Sequence, residues 1–159
     1  MKIKDITFHY TKPEMVKDLL ELIPFNKYDS VLDAGSGKNK VWYNDIPDYC
    51  IKEECEIEDG KDFLTIHTKY DWIIGNPPFH LGWKFLEKAS EISNKGIAFL
   101  GNLNFFNSCT PNRFEKLESK GFYVHKIKIV QDKRWFGRYY FLIFTKNPNY
   151  FLSWNIKNY

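Results

Sequence analysis

Ser30-Val31-Leu32-Asp33-Ala34-Gly35-Ser36-Gly37 carries the first core strand of the chain and the loop that ends it. Ser30 to Ala34 is short and largely apolar, as a strand buried on both faces must be, and it runs straight into two glycines that no regular element tolerates well. Such a junction sets backbone at the carboxyl edge of an open sheet, where these sheets bind ligands. The glycines are not spaced as G-x-G-x-x-G, and no Lys-Ser/Thr follows them, so NAD and ATP lose ground as ligands. About forty residues on, Tyr70-Asp71-Trp72-Ile73-Ile74-Gly75 repeats the pattern and ends on Asn76-Pro77-Pro78-Phe79.

The elements around these two junctions alternate. Thr11-Lys12-Pro13-Glu14 has the form of a capping box, and Met15, Val16, Leu19, Leu20, Leu22 and Ile23 recur at helical spacing until Pro24. Lys38 to Pro47 has room for a helix of one or two turns, and Tyr49 to Ile57 reads as a second strand. Trp83 to Ser93 has helical periodicity that Asn94-Lys95-Gly96 closes, with a strand expected at Ile97 to Leu100. Thr110-Pro111 opens a helix that ends at Gly121, and Tyr123 to Val130 and Tyr139 to Thr145 form a terminal pair of strands. The sequence therefore predicts one α/β domain over residues 1–159, its sheet mostly parallel with a C-terminal antiparallel hairpin.

Asn76-Pro77-Pro78-Phe79 carries the chemistry. Two adjacent prolines fix the backbone beyond Asn76, so its side-chain oxygen and the Pro77 carbonyl converge on one point. A planar exocyclic amine offers two N–H bonds, and two convergent acceptors satisfy both. Such a grip turns the nitrogen lone pair toward an electrophile, which is catalysis by positioning and electrostatics. Phe79 then lies against the face of a base swung out of its stack.

Charge is uneven along the chain. Residues 1–111 hold 13 Lys+Arg against 17 Asp+Glu, whereas residues 112–159 hold 10 against 3. A basic C-terminal third suits a polyanion. Within it, Gln131 to Arg138 mixes Lys133, Arg134 and Arg138 with Trp135 and Phe136, a combination that fits phosphates and stacked bases. Asn102 to Arg113 is a second loop candidate for recognition, and of Tyr139 and Tyr140 one borders the target base while the other faces the core.

His9, His67, His80 and His125 form no ligand pattern, and Cys50, Cys55 and Cys109 match neither a zinc ribbon nor a disulfide framework. No metal is expected, and the thiols read as reduced. The start of the chain lacks a secretory h-region and no apolar run suits a membrane span, so a soluble cytoplasmic protein without a membrane partner is expected.

The glycine loop followed by Asn-Pro-Pro-Phe resembles the class I S-adenosylmethionine-dependent methyltransferases, and within them the N6-adenine DNA methyltransferases, over roughly residues 10–146. The resemblance implies a Rossmann-like domain that binds S-adenosyl-L-methionine and methylates adenine N6 in DNA. It implies that Tyr10, Thr11 and Pro13 enclose the cofactor methionine, that Asp33, Ala34, Gly35, Ser36, Gly37 and Asn76 line its site, and that Glu56 accepts hydrogen bonds from its ribose. Asp62 and Phe63 would contact its adenine. Asn76, Pro77, Pro78 and Phe79 would be catalytic, and Arg113, Lys133, Arg134, Trp135, Phe136, Arg138 and Tyr139 would meet nucleic acid. The chain departs from that family in its truncated helix after the glycine loop and in lacking a target-recognition domain of ordinary size.

Three rivals stay open. Ribosomal RNA guanine-N2 methyltransferases carry a similar Asn-Pro-Pro-Phe, and protein-glutamine methyltransferases commonly carry Asn-Pro-Pro-Tyr. A noncatalytic nucleic-acid-binding subunit is the third. The sequence leaves monomer or homodimer undecided.

Overall fold

The computed structural model of the chain describes residues 11–134, 137–148, 152, 153 and 157. Its centre is a six-stranded sheet of β1 (Ser30–Ala34), β2 (Ile51–Cys55), β3 (Tyr70–Gly75), β4 (Ser93–Asn102), β5 (Tyr123–Val130) and β6 (Tyr139–Thr145), in the order β2-β1-β3-β4-β6-β5. Strands β1 to β4 pair in parallel, while β6 is antiparallel to both β4 and β5. The hairpin expected at the C-terminus is present, but its second strand inserts between β4 and β5. The residues explain the order: Phe141, Leu142, Ile143 and Phe144 are all fully buried and need cover on both faces, whereas β5 alternates with exposed Lys126, Lys128 and Ile129 and suits an edge.

Helices cover both faces. On one face α1 (Pro13–Leu20) and α2 (Val41–Asp45) lay Val16, Leu19, Leu20 and Trp42 over Val31, Trp72, Ile74, Ala98, Phe141 and Ile143. On the other, α3 (Gly82–Ile92), α4 (Leu103–Ser108) and α5 (Pro111–Ser119) lay Phe85, Leu86, Phe105, Phe114 and Leu117 over Leu32, Ile73, Ile97, Phe99, Leu142 and Phe144. The stripe of α1 follows the predicted spacing, and α2 has the one to two turns expected. Among the described residues no helix is long and apolar enough to cross a membrane.

Three local expectations give way. Thr11 does not cap α1: Lys12 holds the N-cap position and no side chain caps it. Asn94-Lys95-Gly96 does not end a helix in a loop, because β4 begins at Ser93 and takes all three in. A Cβ on Gly96 would lie 2.2 Å from the Trp72 ring, so this glycine serves close packing of β4 under the indole. Residues 102–113 are not one recognition loop: Asn102 Oδ1 accepts the Phe105 N–H at 2.9 Å and starts α4.

At the amino edge of the sheet a polar staple ties the strands. Buried Asp29 accepts from the Asn26 N–H at 2.9 Å and Trp72 Nε1 at 3.0 Å and pairs with Lys95. Burial works against its charge, and the Asn26, Lys95 and Trp72 donors outweigh it, holding the carboxyl below its ordinary value.

Candidate active site

Strand order reverses at β1, since β2 lies on one side of it and β3 on the other, and the loops after both strands meet in the crevice this opens. Gly35 and Gly37 adopt φ values of 75° and 66°, which turn the chain sharply at the end of β1. The loop's N–H groups are already spent: those of Gly35 and Ser36 both donate to Cys55 O at 3.0 Å, and that of Gly37 donates to Glu56 Oε2 at 2.7 Å. The loop therefore offers a ligand close approach, with the N–H groups of Gly35, Ser36 and Gly37 already bonded.

Asp33, Ala34 and Ser36 are buried scaffold. Ser36 Oγ donates to Glu54 Oε2 at 2.9 Å, and Asp33 Oδ2 accepts the Tyr43 N–H of α2 at 3.0 Å. Burial pushes the Asp33 carboxyl up to about 8; the Tyr43 N–H opposes this, and Glu54 and Glu56 add to it. Its Oδ1 has no hydrogen-bond partner among the described residues. Sequence reasoning missed Glu54, which braces the loop by also pairing with Lys40 at 2.9 Å and Lys61 at 3.7 Å. The alternation of β2 turns its side chain to the Ser36 side, a signal the crowd of neighbouring glutamates hides.

Glu56 follows β2 directly and is half-buried. Besides the Gly37 bond its Oε1 accepts the Glu58 N–H at 3.4 Å, and a carboxylate keeps lone pairs for further donors. Ile57, beside it, is 67% exposed, an apolar side chain at the rim that the sequence reading passed over. Asp62 is half-buried and caps the following turn through the Leu64 N–H at 2.9 Å. Phe63 is not a rim residue: its ring is buried against Phe85, 4.8 Å between centroids, and it is Phe85 that lies under Gly35, 3.7 Å from its Cβ position. A cleft of about 300 Å³ runs along β2, lined by Glu53, Glu54, Cys55, Lys61, Asp62 and Tyr70; of the residues expected around the cofactor, Asp62 lines it and Gly35, Gly37, Glu56 and Phe63 do not.

The second junction stands opposite. Gly75 has φ 141°, and a Cβ there would lie 2.9 Å from Ala34 O and 3.1 Å from Asp33 Oδ1, so only glycine lets β3 end this close to the first loop. Asn76 Nδ2 donates to Thr11 Oγ1 at 3.3 Å, and Asn76 Oδ1 is buried with no partner among the described residues. Leaving a buried acceptor unpaired costs about 1–3 kcal/mol, and Asp33 Oδ1 and Trp42 Nε1 share this state among the described residues. Pro77 is buried, Pro78 exposed and Phe79 half-buried, its ring 5.7 Å from that of Tyr139. Pro13 is exposed at the first turn of α1.

Because β6 runs backwards, its first residues reach the same edge, with Tyr139 opposite Asn102. The consecutive tyrosines face opposite sides of the sheet: Tyr139 packs with Phe79 beside Asn76, and Tyr140 stacks on Phe106 at 5.1 Å. The Phe106 partner gave no sequence signal. Of the expected nucleic-acid contacts, Lys133 and Arg138 are exposed near this edge. Arg134 grips Asp132 through Nε and Nη2 at 2.6–3.1 Å, and Arg113 lies over the Trp83 ring and donates to Ser108 O, on the α4–α5 side. Tyr10, Trp135 and Phe136 lie outside the described residues.

Burial pushes the Cys55 thiol up to about 12 and that of Cys109 to about 11, which keeps both protonated and unreactive. Among the described residues no group of three His, Cys, Asp or Glu is placed to hold a metal ion.

A sheet with one reversed strand, helices on both faces and a glycine loop at the switch point is a Rossmann-like fold also found in solved methyltransferase structures. Three solved structures share this fold at low sequence identity. Magnesium protoporphyrin IX methyltransferase from Synechocystis PCC 6803 with bound SAH matches with TM-score 0.63 at 11% identity, over 85% of this chain and 83% of that one. Precorrin-6y C5,15-methyltransferase from Geobacter metallireducens GS-15 matches with TM-score 0.63 at 14% identity, over 92% and 94%. Ribosomal protein L11 methylase from Lactobacillus delbrueckii subsp. bulgaricus matches with TM-score 0.60 at 12% identity, over 84% and 78%. No protein-family model and no curated protein matches the chain by sequence.

Proposed function

We propose that this protein is a cytoplasmic S-adenosylmethionine-dependent methyltransferase acting on the exocyclic amino group of a nucleic-acid base, with adenine N6 in DNA as its substrate. The observation that carries the reading is Asn76 Oδ1, buried and without a partner among the described residues, set at the switch point between a glycine loop and an aromatic pair.

The residues present fit the cofactor. Gly35 and Gly37 allow close approach at the end of β1, Glu56 retains acceptor capacity for ribose hydroxyls, and Asp62 lines the cleft that would take the adenine. Bound there, S-adenosylmethionine supplies a methyl group on a sulfonium. Asn76 Oδ1, with the Pro77 carbonyl, accepts the two N–H bonds of the substrate amine and aims its lone pair. Phe79 lies on the base, with Tyr139 behind it. The attack needs no general base, and the buried, protonated thiols supply no nucleophile. Lys133 and Arg138 meet phosphates at the rim.

Labelled cofactor offered with DNA, RNA and protein separately, followed by nucleoside digestion of the labelled polymer, tests the reading. N6-methyladenine from DNA is expected. Label on guanine N2 in RNA would replace the substrate, and label on protein alone would overturn the reading.

A further inference from the structure

We infer that Phe106 and Tyr140 form a stacking platform for the unpaired base next to the target base in the same strand; the inference rests on the amino-methyltransferase reading above. Their rings lie 5.1 Å apart between centroids and 18° from parallel, an offset stack that leaves no room for a base between them and takes one on its outer face. Both rings are half-buried, whereas their chain neighbours Phe105 and Phe141 are fully buried. Leu103, one turn before Phe106 on α4, is 58% exposed, and Ile129, directly opposite Tyr140 on β5, is 60% exposed. An apolar patch of four side chains therefore lies open at the carboxyl edge of the sheet.

Close packing puts the patch there. Phe105 is wedged between Gly82 and Gly101, where an added Cβ would come within 2.0 Å and 2.4 Å of its ring, and this seats α4 against the Phe79–Leu81 turn and β6. Phe106, the next residue, is thereby turned to Tyr140. Tyr139 and Tyr140 are consecutive and face opposite sides of the sheet, so one base cannot reach both rings. A strand crossing the sheet edge sets its target base against Phe79 and the adjoining base against Phe106 and Tyr140. That base has lost a stacking neighbour once the target is swung out, and the platform replaces it. The chemistry of the patch suits such an occupant. No residue from Asn102 to Ser108 is charged, Asn104 and Asn107 are exposed amides, and exposed Arg138 stands just before the tyrosines to meet phosphate. Four side chains are too few for a protein partner, whose footprint takes roughly 20–30 residues a side.

Binding of a short single-stranded oligodeoxyadenylate, read by fluorescence polarisation beside an abasic strand of the same length, tests the platform without turnover. Wild type should prefer the strand that carries bases. F106L and Y140L keep apolar bulk and remove the flat rings. Each should weaken oligodeoxyadenylate binding at least about five-fold and bind the abasic strand as wild type does. F106Y and Y140F keep the rings and should bind both strands like wild type. No preference for bases in wild type, unchanged oligodeoxyadenylate affinity in both Leu variants, or equal losses on the two strands would overturn the platform. A change of oligomeric state of either Leu variant in gel filtration would also overturn it, by giving the patch to a second copy of the chain. Such failures leave methyl transfer by the wild type untouched, whereas absence of methyl transfer with the base preference retained would overturn only the function proposed above.

Discussion

Gly75→Ala probes the closest approach in the site. Gly75 sits at φ 141°, where an L side chain is strained by about 1–3 kcal/mol. Its new Cβ would also meet Ala34 O at 2.9 Å and Asp33 Oδ1 at 3.1 Å. Both neighbours belong to a buried central strand and give way only by moving it, which adds an overpacking cost of about 1–3 kcal/mol. The sum, about 2–6 kcal/mol, corresponds to a fall in Tm of roughly 4–24 °C for a domain of this size. Gly60→Ala is the control: Gly60 also has positive φ, 79°, but nothing lies within 4 Å of its Cβ position, so it carries only the left-handed penalty of about 1–2 kcal/mol. The gain from a stiffer unfolded chain is common to both variants and cancels. Urea unfolding of the two variants beside wild type reads the difference. If G75A were no less stable than G60A, the two ligand loops would not be packed as tightly as this geometry requires.

Asp33→Asn should flatten the pH dependence of stability. The carboxyl is raised from 3.8 to about 8 in the fold, so the native state holds a proton there that the unfolded chain has released; this favours folding fully below about 4 and fades as pH rises through about 8. Across that window the slope approaches about 1.4 kcal/mol per pH unit, and parallel curves for wild type and D33N in unfolding series at pH 5 to 8 would refute it. Asp29→Ala, which orphans the Asn26 and Trp72 donors, should cost about 2–3 kcal/mol in denaturant unfolding, and a cost under about 0.5 kcal/mol would deny the staple. Lys133→Ala with Arg138→Ala should reduce the slope of log affinity for DNA against log salt by roughly 2, and an unchanged slope would remove both from the interface.

How far the sequence could be read depends on where each residue's partner lies. Strands β1, β3, β5 and β6 were legible to the residue because their burial is written into runs such as Val31-Leu32 and Phe141-Leu142-Ile143-Phe144. The start of β4 was not: Asn94-Lys95-Gly96 has the local form of a helix end, and the Trp72 ring that demands Gly96 comes from another strand. The place of β6 in the sheet was hidden for a similar reason, since a hairpin signal fixes the neighbour on one side alone. Asn76 and Phe79 were singled out by the rigidity of their own segment, and both follow the end of β3. Thr11 was assigned to a helix cap because its real partner is 65 residues away. The acceptors of the glycine loop's N–H groups, Cys55 O and Glu56, were not legible because they sit at the end of a different strand. Arg134 looked available for phosphate, and a carboxylate two residues before it takes its guanidinium.

Single-turnover methyl transfer by Asn76→Ala, run beside calorimetric titration of the same protein with S-adenosylmethionine, tests the central claim. If Asn76 Oδ1 grips the reacting amine, the variant should transfer methyl to adenine at least about 100-fold more slowly while its cofactor affinity changes little. Transfer at the wild-type rate, or equal losses of transfer and cofactor binding, would contradict that role.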